Sequence, residues 1–437
     1  MTDHGSGMGQ ASGAVHLPMS GRSGLRVIVV GAELAGLACA ADLVEAGAMV
    51  RVLEAGDGIG GRMRTDRQAG FLLDRGFQVF NTSYPQVRRR IDLRALQLRP
   101  LTPGLLLHTS QGRVRFTDPT REPRQARDVL TGRLAGPRDL AALTALSARD
   151  MLGPARRIRH RRDRSTLVAL RRAGISGDLI ERLFRPFLAG VFGEDELETS
   201  SRFFHLVWRS MLRGSLCLPR HGIRAVPEQL AAALPSGTIR LQTPVAELTP
   251  EGVVLADGSE RPADAVVVAT GADAAASLLP GLNVPATRTV TTLYHAAPTP
   301  PLAEPTLLVD TEREVLHTSV LSEVTPGYAS DGRALVSTSV LGGGHAGLEA
   351  AVRGRLAVLY QTDTAGWEHL STCTVEGALP AMLPPWPLTR GSRVGPGRYV
   401  CGDHRTTGSV QGALVSGARA AREVLAASQS QLSSAGR

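Results

Sequence analysis

Residues 26–65 read RVIVVGAELAGLACAADLVEAGAMVRVLEAGDGIGGRMRT, and the fold class follows from them. Arg26 to Val30 is a short β-branched run closed by Gly31, the pattern of a buried parallel strand. Leu34 to Ala46 is rich in Ala and Leu and stops at Gly47, as a helix with a C-terminal glycine does. Met49 to Leu53 is a second strand, closed by Glu54. Strand, glycine turn, helix and strand in so short a span make a βαβ unit. The turn Gly31-Ala32-Glu33-Leu34-Ala35-Gly36 keeps the first and third glycines of G-x-G-x-x-G, which serve the tight turn and close helix–strand packing. The second glycine lets the backbone approach a pyrophosphate at the helix N-terminus, and here Glu33 replaces it. A carboxylate beside a diphosphate repels it, and its Cβ takes ligand space. Glu54 stands where an acid binds ribose hydroxyls. On this fragment alone, a nucleotide turn and an ordinary helix–strand turn are equally good readings.

The following segment decides between them. Glu54-Ala55-Gly56-Asp57-Gly58-Ile59-Gly60-Gly61-Arg62-Met63-Arg64-Thr65 resembles the second fingerprint of flavin-dependent amine oxidases and phytoene desaturase-like enzymes. Gly60 and Gly61 expose backbone N–H groups there, and Arg62 offers a fork for phosphate oxygens. Further segments are similar to the same superfamily. Phe71 to Phe80 (FLLDRGFQVF) resembles the stretch passing the flavin ring, which implies contacts from Gly76, Phe77, Gln78 and Val79. Phe187 to Phe204 resembles a substrate-domain motif of the desaturase-like branch, and Pro219 to Leu230 the return into the FAD domain. Thr243-Pro244-Val245 matches the strand whose Val backbone meets adenine, and Ala269-Thr270-Gly271 the neighbouring strand end. Cys401-Gly402-Asp403, Ser409-Val410-Gln411-Gly412-Ala413 and Ser416-Gly417 resemble the closing motif. That motif also makes sense alone: a strand ends at Gly402, Asp403 can bind ribitol hydroxyls, and a helix starting near Val410 aims N–H groups and a positive dipole end at a ligand. Asp403 as a simple turn or cap residue is the plainer alternative.

The resemblance implies an α/β fold: a Rossmann-like FAD-binding domain with an inserted mixed α+β substrate domain. We expect residues 25–85, 215–284 and 385–437 to build the discontinuous FAD-binding domain, and 86–214 and 285–384 the substrate domain. Residues 86–212 read as mainly helical. Residues 239–271 read as short strands with a hairpin turn at Asp257-Gly258, and 285–340 as an antiparallel sheet. The cofactor residues implied are Gly31, Ala32, Ala35, Gly36, Glu54, Ala55, Gly60, Gly61, Arg62, Gly76, Phe77, Gln78, Val79, Val245, Ala269, Thr270, Gly402, Asp403, Ser409, Val410 and Gln411. The FAD is expected to be noncovalent, since neither Cys373 nor Cys401 sits in a flavin-linking motif.

Composition narrows the chemistry. The 437 residues are 43% hydrophobic, which excludes wholesale disorder, and no apolar run is long enough to span a membrane. Four scattered cysteines form no Cys-x-x-Cys pair, against a disulfide scaffold or a zinc site, so no metal is expected. Residues 1–24 lack a secretory apolar stretch and read as a disordered leader of a cytoplasmic protein. All 49 basic residues are arginine. Lysine nucleophiles, lysine bases and the lysine-held water of many amine oxidases are therefore excluded. No motif names a general base; Gln78 and His404 are the candidates, with His205, His221, His317 and His345 read as surface or structural. Trp367 and Trp386 are expected to pack in the core.

The net charge of +9 is uneven. Gln86 to Arg172 holds 21 Arg against seven acids, an excess of +14. It has no aromatic interleaving, so nucleic acid is not expected. A solvated basic face is the plain reading, and peripheral contact with an anionic membrane the functional one. The sequence thus supports an FAD-dependent oxidoreductase acting on a largely apolar, isoprenoid-type small molecule. An amine or porphyrinogen-type oxidase stays open, as does a flavin-poor binding protein in which Glu33 marks a lost site.

Overall fold

The computed structural model describes residues 24–76, 79–118, 121–125 and 132–435. The expected leader, apart from Gly24, and the candidates Phe77 and Gln78 lie outside the described residues.

Two large sheets organise the chain. The first has six strands in the order Ile239–Arg240, Met49–Leu53, Arg26–Val30, Ala265–Val268, Arg398–Val400 and Arg393–Gly395. Neighbours run parallel except at the last pair. The β-branched runs explain its centre: Val29, Val52, Val266, Val267 and Val268 are all fully buried, as strands covered on both faces require. The helix Leu34–Glu45 lies on one face and packs along the final helix, Val410–Ala435. Three distant segments of chain therefore meet in one sheet, and its connections leave room for the intervening chain.

The second sheet has seven strands: Glu368–Pro380, Thr287–Ala297, Ala334–Leu341, His317–Val320, Leu308–Asp310, Gly104–Thr109 and Gly112–Thr117. It is antiparallel except where Leu308–Asp310 runs parallel to Gly104–Thr109. The expected antiparallel sheet over 285–340 is present. The mainly helical reading of 86–212 needs correction, because Gly104–Thr117 is a strand pair of this sheet. Leu105, Leu106 and Leu107 are buried between Leu308–Asp310 and Gly112–Thr117, so long-range pairing outweighs any local helical preference. The helices Pro137–Leu152, Arg185–Phe192 and Ser201–Arg213 follow. Phe184, Phe204 and Trp208 form an aromatic cluster among them, with ring centroids 5.6–6.2 Å apart. Trp367 and Trp386 are core residues.

Candidate functional site

The turn after the first strand has the backbone its glycines were expected to supply. Gly31 has φ +104°, and a Cβ there would stand 3.0 Å from the Ala269 carbonyl. A Cβ at Gly36 would stand 2.1 Å from the Gly31 carbonyl, so the helix can start this close to the turn only without one. Glu54 closes the neighbouring strand. Its carboxylate accepts the Ala32 N–H at 2.8 Å and the Gly56 N–H at 2.8 Å. The Glu54 backbone carbonyl takes the Thr243 N–H at 2.8 Å, which brings Val245 alongside.

These elements line one cavity of about 390 Å³. Of the expected cofactor residues, Gly31, Glu54, Ala55, Gly61, Val245 and Thr270 line it, and so does Glu33. Sequence reasoning missed Ala274, Ser277 and Leu278, which the short helix Ala272–Leu278 adds to the wall. The run of small residues after Gly271 was the available signal. Ala35 points elsewhere, its carbonyl lying against Gly417 of the final helix.

The second turn folds over the first. Gly60 (φ +99°) donates its N–H to the Ala32 carbonyl at 2.9 Å, and Gly61 has φ +55°. Arg62 then reaches three segments. Nη1 donates to the Ala378 carbonyl and to Asp403, both at 2.9 Å, and Nη2 to Glu33 at 3.3 Å. The Asp403 and Glu33 carboxylates hold the guanidinium firmly charged, against its burial. In this structure Arg62 is a clasp between the nucleotide turn, the long strand Glu368–Pro380 and the closing motif.

Closing-motif residues sit around that clasp. Gly402 donates to Ser416 Oγ at 3.1 Å, and its missing Cβ leaves space taken by the His404 ring. His404 is buried, and both ring nitrogens lack a hydrogen-bond partner. Burial, reinforced by Arg405, Arg62 and Arg390 and opposed by Asp403, lowers its pKa to about 4, so it is neutral at neutral pH. Ser409 caps the turn by accepting the Gly412 N–H at 3.1 Å. The Gln411 side chain is used on the Gln86 N–H at 2.9 Å. Gly76 (φ +82°) lies against Val375, and Val79 packs at the edge of a core cluster. His205 is paired with Asp150 at 2.5 Å inside the helical region, far in sequence from these turns. Among the described residues no group of three or more His, Cys, Asp or Glu could hold a metal ion.

A parallel sheet with a glycine turn, a ribose-type acid and a second glycine turn folded over it defines a dinucleotide-binding protein. The chain belongs to the flavin containing amine oxidoreductase family, whose model matches residues 34–425, and its members are flavin-dependent oxidoreductases. It is 29% identical to hydroxysqualene dehydroxylase of Rhodopseudomonas palustris across 92% of this chain and 98% of that one. The same-named protein of Sinorhizobium fredii is 28% identical, over 59% of this chain and 64% of its own length. Protoporphyrinogen oxidase 2 of Arabidopsis thaliana is 38% identical over 21% of this chain and 19% of its own. Among solved structures, cyclohexylamine oxidase of Brevibacterium oxydans superposes with a TM-score of 0.65 at 18% identity, covering 92% of this chain and 98% of that one; an oxidoreductase of Methanosarcina mazei gives 0.69 at 18%, covering 92% and 100%. These two show a shared fold.

Proposed function

We propose that the protein is an FAD-dependent oxidoreductase that oxidises an apolar, isoprenoid-type substrate, its two electrons passing to the flavin, with the FAD held noncovalently. The observation that carries the cofactor is the cavity where Gly31, Glu54, Gly61, Val245 and Thr270 converge. Its residues fit the adenosine end of FAD: Glu54 is fixed by two backbone N–H groups at the edge of a space bordered by backbone and small side chains. Arg62 and Asp403 are the residues for the diphosphate and ribitol. When bound, the flavin supplies two-electron redox chemistry. The chain's own part is to hold and orient it and to exclude water. Neutral His404 beside Asp403 is a hydrogen-bonding group for that end of the site rather than a cation. Cys401 is a free thiol, fully buried in the core between the first sheet and its helices, which favours a noncovalent flavin.

The full-length likeness to hydroxysqualene dehydroxylase supports an isoprenoid over an amine or porphyrinogen. We further take the segments 25–85, 215–284 and 385–437 as the flavin domain, with 86–214 and 285–384 holding the substrate, in a cytoplasmic protein that touches anionic membrane through residues 86–172. No helix among the described residues is long and apolar enough to cross a membrane.

The test is anaerobic bleaching of the bound flavin by a panel of hydroxylated isoprenoids, amines and porphyrinogens. Isoprenoids should bleach it, and acid precipitation should release the colour into solution. Bleaching by amines alone would refute the substrate class, and a yellow pellet the noncovalent link.

A further inference from the structure

The diphosphate seat of this protein already holds an anion. Glu33 is the N-cap of the helix Leu34–Glu45, with extended backbone (φ −77°, ψ 175°), yet its side chain makes no cap hydrogen bond. An N-cap carboxylate would ordinarily turn back onto the first helical N–H groups. This one reaches across the turn instead. A Cβ built on Gly61 would lie 2.1 Å from Glu33 Oε1 and 2.3 Å from its Cγ, so the Glu33 side chain fills the space that the missing Gly61 side chain leaves. Its other oxygen is 3.3 Å from Arg62 Nη2. A side-chain-free glycine surface on one side and a guanidinium on the other are what a phosphate at this turn would need, and Glu33 occupies both.

We propose that Glu33 makes flavin dinucleotide binding proton-coupled: the incoming diphosphate displaces the Glu33 carboxylate from Gly61 and Arg62, and Glu33 takes up a proton as this happens. This inference rests on the FAD reading above. The charged groups facing Glu33 are Arg62 from the second turn, Asp403 from the closing motif and Glu54 from the end of the second strand. Burial raises the Glu33 carboxyl already in the free protein; Arg62 opposes this, while Asp403 and Glu54 reinforce it. With a diphosphate bound, Glu33 loses its share of Arg62 and gains a negative neighbour, and both changes favour the protonated form. The sign follows. The complex binds more protons than the free protein, so affinity rises as pH falls through the interval between the two Glu33 pKa values, by up to about tenfold per pH unit. Asp403 and Glu54 remain in place when Glu33 is replaced, so the comparison of variants isolates Glu33.

The experiment is FAD titration of the flavin-stripped full chain, followed by flavin fluorescence quenching, from pH 5.5 to 8.5. Wild type, Glu33→Gln and Glu33→Gly are compared, with adenosine as a ligand lacking phosphate. The wild-type Kd should rise with pH, by up to about tenfold per unit. Both variants should be flatter, and tighter than wild type by about tenfold or more at pH 8. Adenosine affinity should be equal in all three. Equal FAD slopes and affinities in wild type and Glu33→Gln would overturn the coupling while leaving the FAD reading intact. A variant gain that appears equally with adenosine would overturn the diphosphate seat. Adenosine and FAD binding by none of the three would overturn the FAD reading, and the coupling with it.

Discussion

At the scale of single residues, Asp74, on a strand after the second glycine turn, is a buried acid whose part is structural. Its buried carboxylate accepts the Thr65 hydroxyl at 2.5 Å, the Ile223 N–H at 2.9 Å and the Tyr328 hydroxyl at 2.8 Å, while its backbone carbonyl takes the Tyr294 hydroxyl at 2.7 Å. One residue thus joins the hairpin after Arg62, the return segment near Gly222 and the seven-stranded sheet. Burial pushes its carboxyl up to about 6, against the lowering effect of the three donors. A raised native pKa means that the stability tied to protonation is complete below about pH 3.9 and is lost as pH rises through about 6. Above pH 6 the three donors carry an ionised group. Tyr328→Phe should therefore destabilise the fold by about 1.5–3 kcal/mol at pH 7.5, where the acceptor is charged, and by nearer 1 kcal/mol at pH 5. Urea unfolding at the two pH values checks this, and an equal loss at both would refute the ionised acceptor.

At the scale of elements, the contact between the first and last helices positions the first glycine turn and the closing motif. It depends on Gly417, where a Cβ would stand 2.1 Å from the Ala35 carbonyl and 3.1 Å from the Cys39 nitrogen. Gly417→Ala must push the helices apart, at about 1–3 kcal/mol. Gly354, in the helix Leu348–Tyr360, has no atom within 4 Å of its would-be Cβ. Gly354→Ala should accordingly stabilise by about 0.5–1 kcal/mol through helix propensity. Opposite shifts in thermal midpoint are expected, and FAD affinity should fall only in the first variant. Legibility in the sequence follows the same division. Arg26–Val30, Met49–Leu53, the hairpin around Gly258 and the helix starting at Val410 each carry their signal within a few residues, and all were readable. The strand Gly104–Thr109 was missed: its hairpin partner Gly112–Thr117 is local, but the partner that buries it inside the sheet, Leu308–Asp310, lies some two hundred residues away. Glu33 was readable as an intruder by position. Its direction was not, because that depends on Arg62 reaching back from the second turn to hold it.

At the scale of the whole molecule, the charge is segregated. The net +9 is the balance of +14 in residues 86–172 and −5 in the rest. Within the described part of that segment, the helix Ala155–Arg159 buries Ile158 and exposes Arg156, Arg157 and Arg159, with Arg162 exposed just beyond it. Next to them Leu152 is 76% exposed, at the end of the helix Pro137–Leu152. An exposed leucine followed within ten residues by four exposed arginines is the combination that would suit the boundary of an anionic bilayer, apolar side chain at the acyl edge and guanidinium groups among the headgroups. Each arginine near such a surface contributes about 1 kcal/mol, and the attraction fades over about 8 Å at physiological salt. Replacing Arg156, Arg157 and Arg159 together by Ser should then remove about 3 kcal/mol, roughly a hundredfold in vesicle partitioning. Leu152→Ser should weaken partitioning without changing its salt dependence. The measurement is cosedimentation with phosphatidylserine-containing and purely zwitterionic vesicles at low and high salt. Equal binding to both lipids, or binding unmoved by salt, would leave the arginine face as a solvated surface and the membrane contact without support.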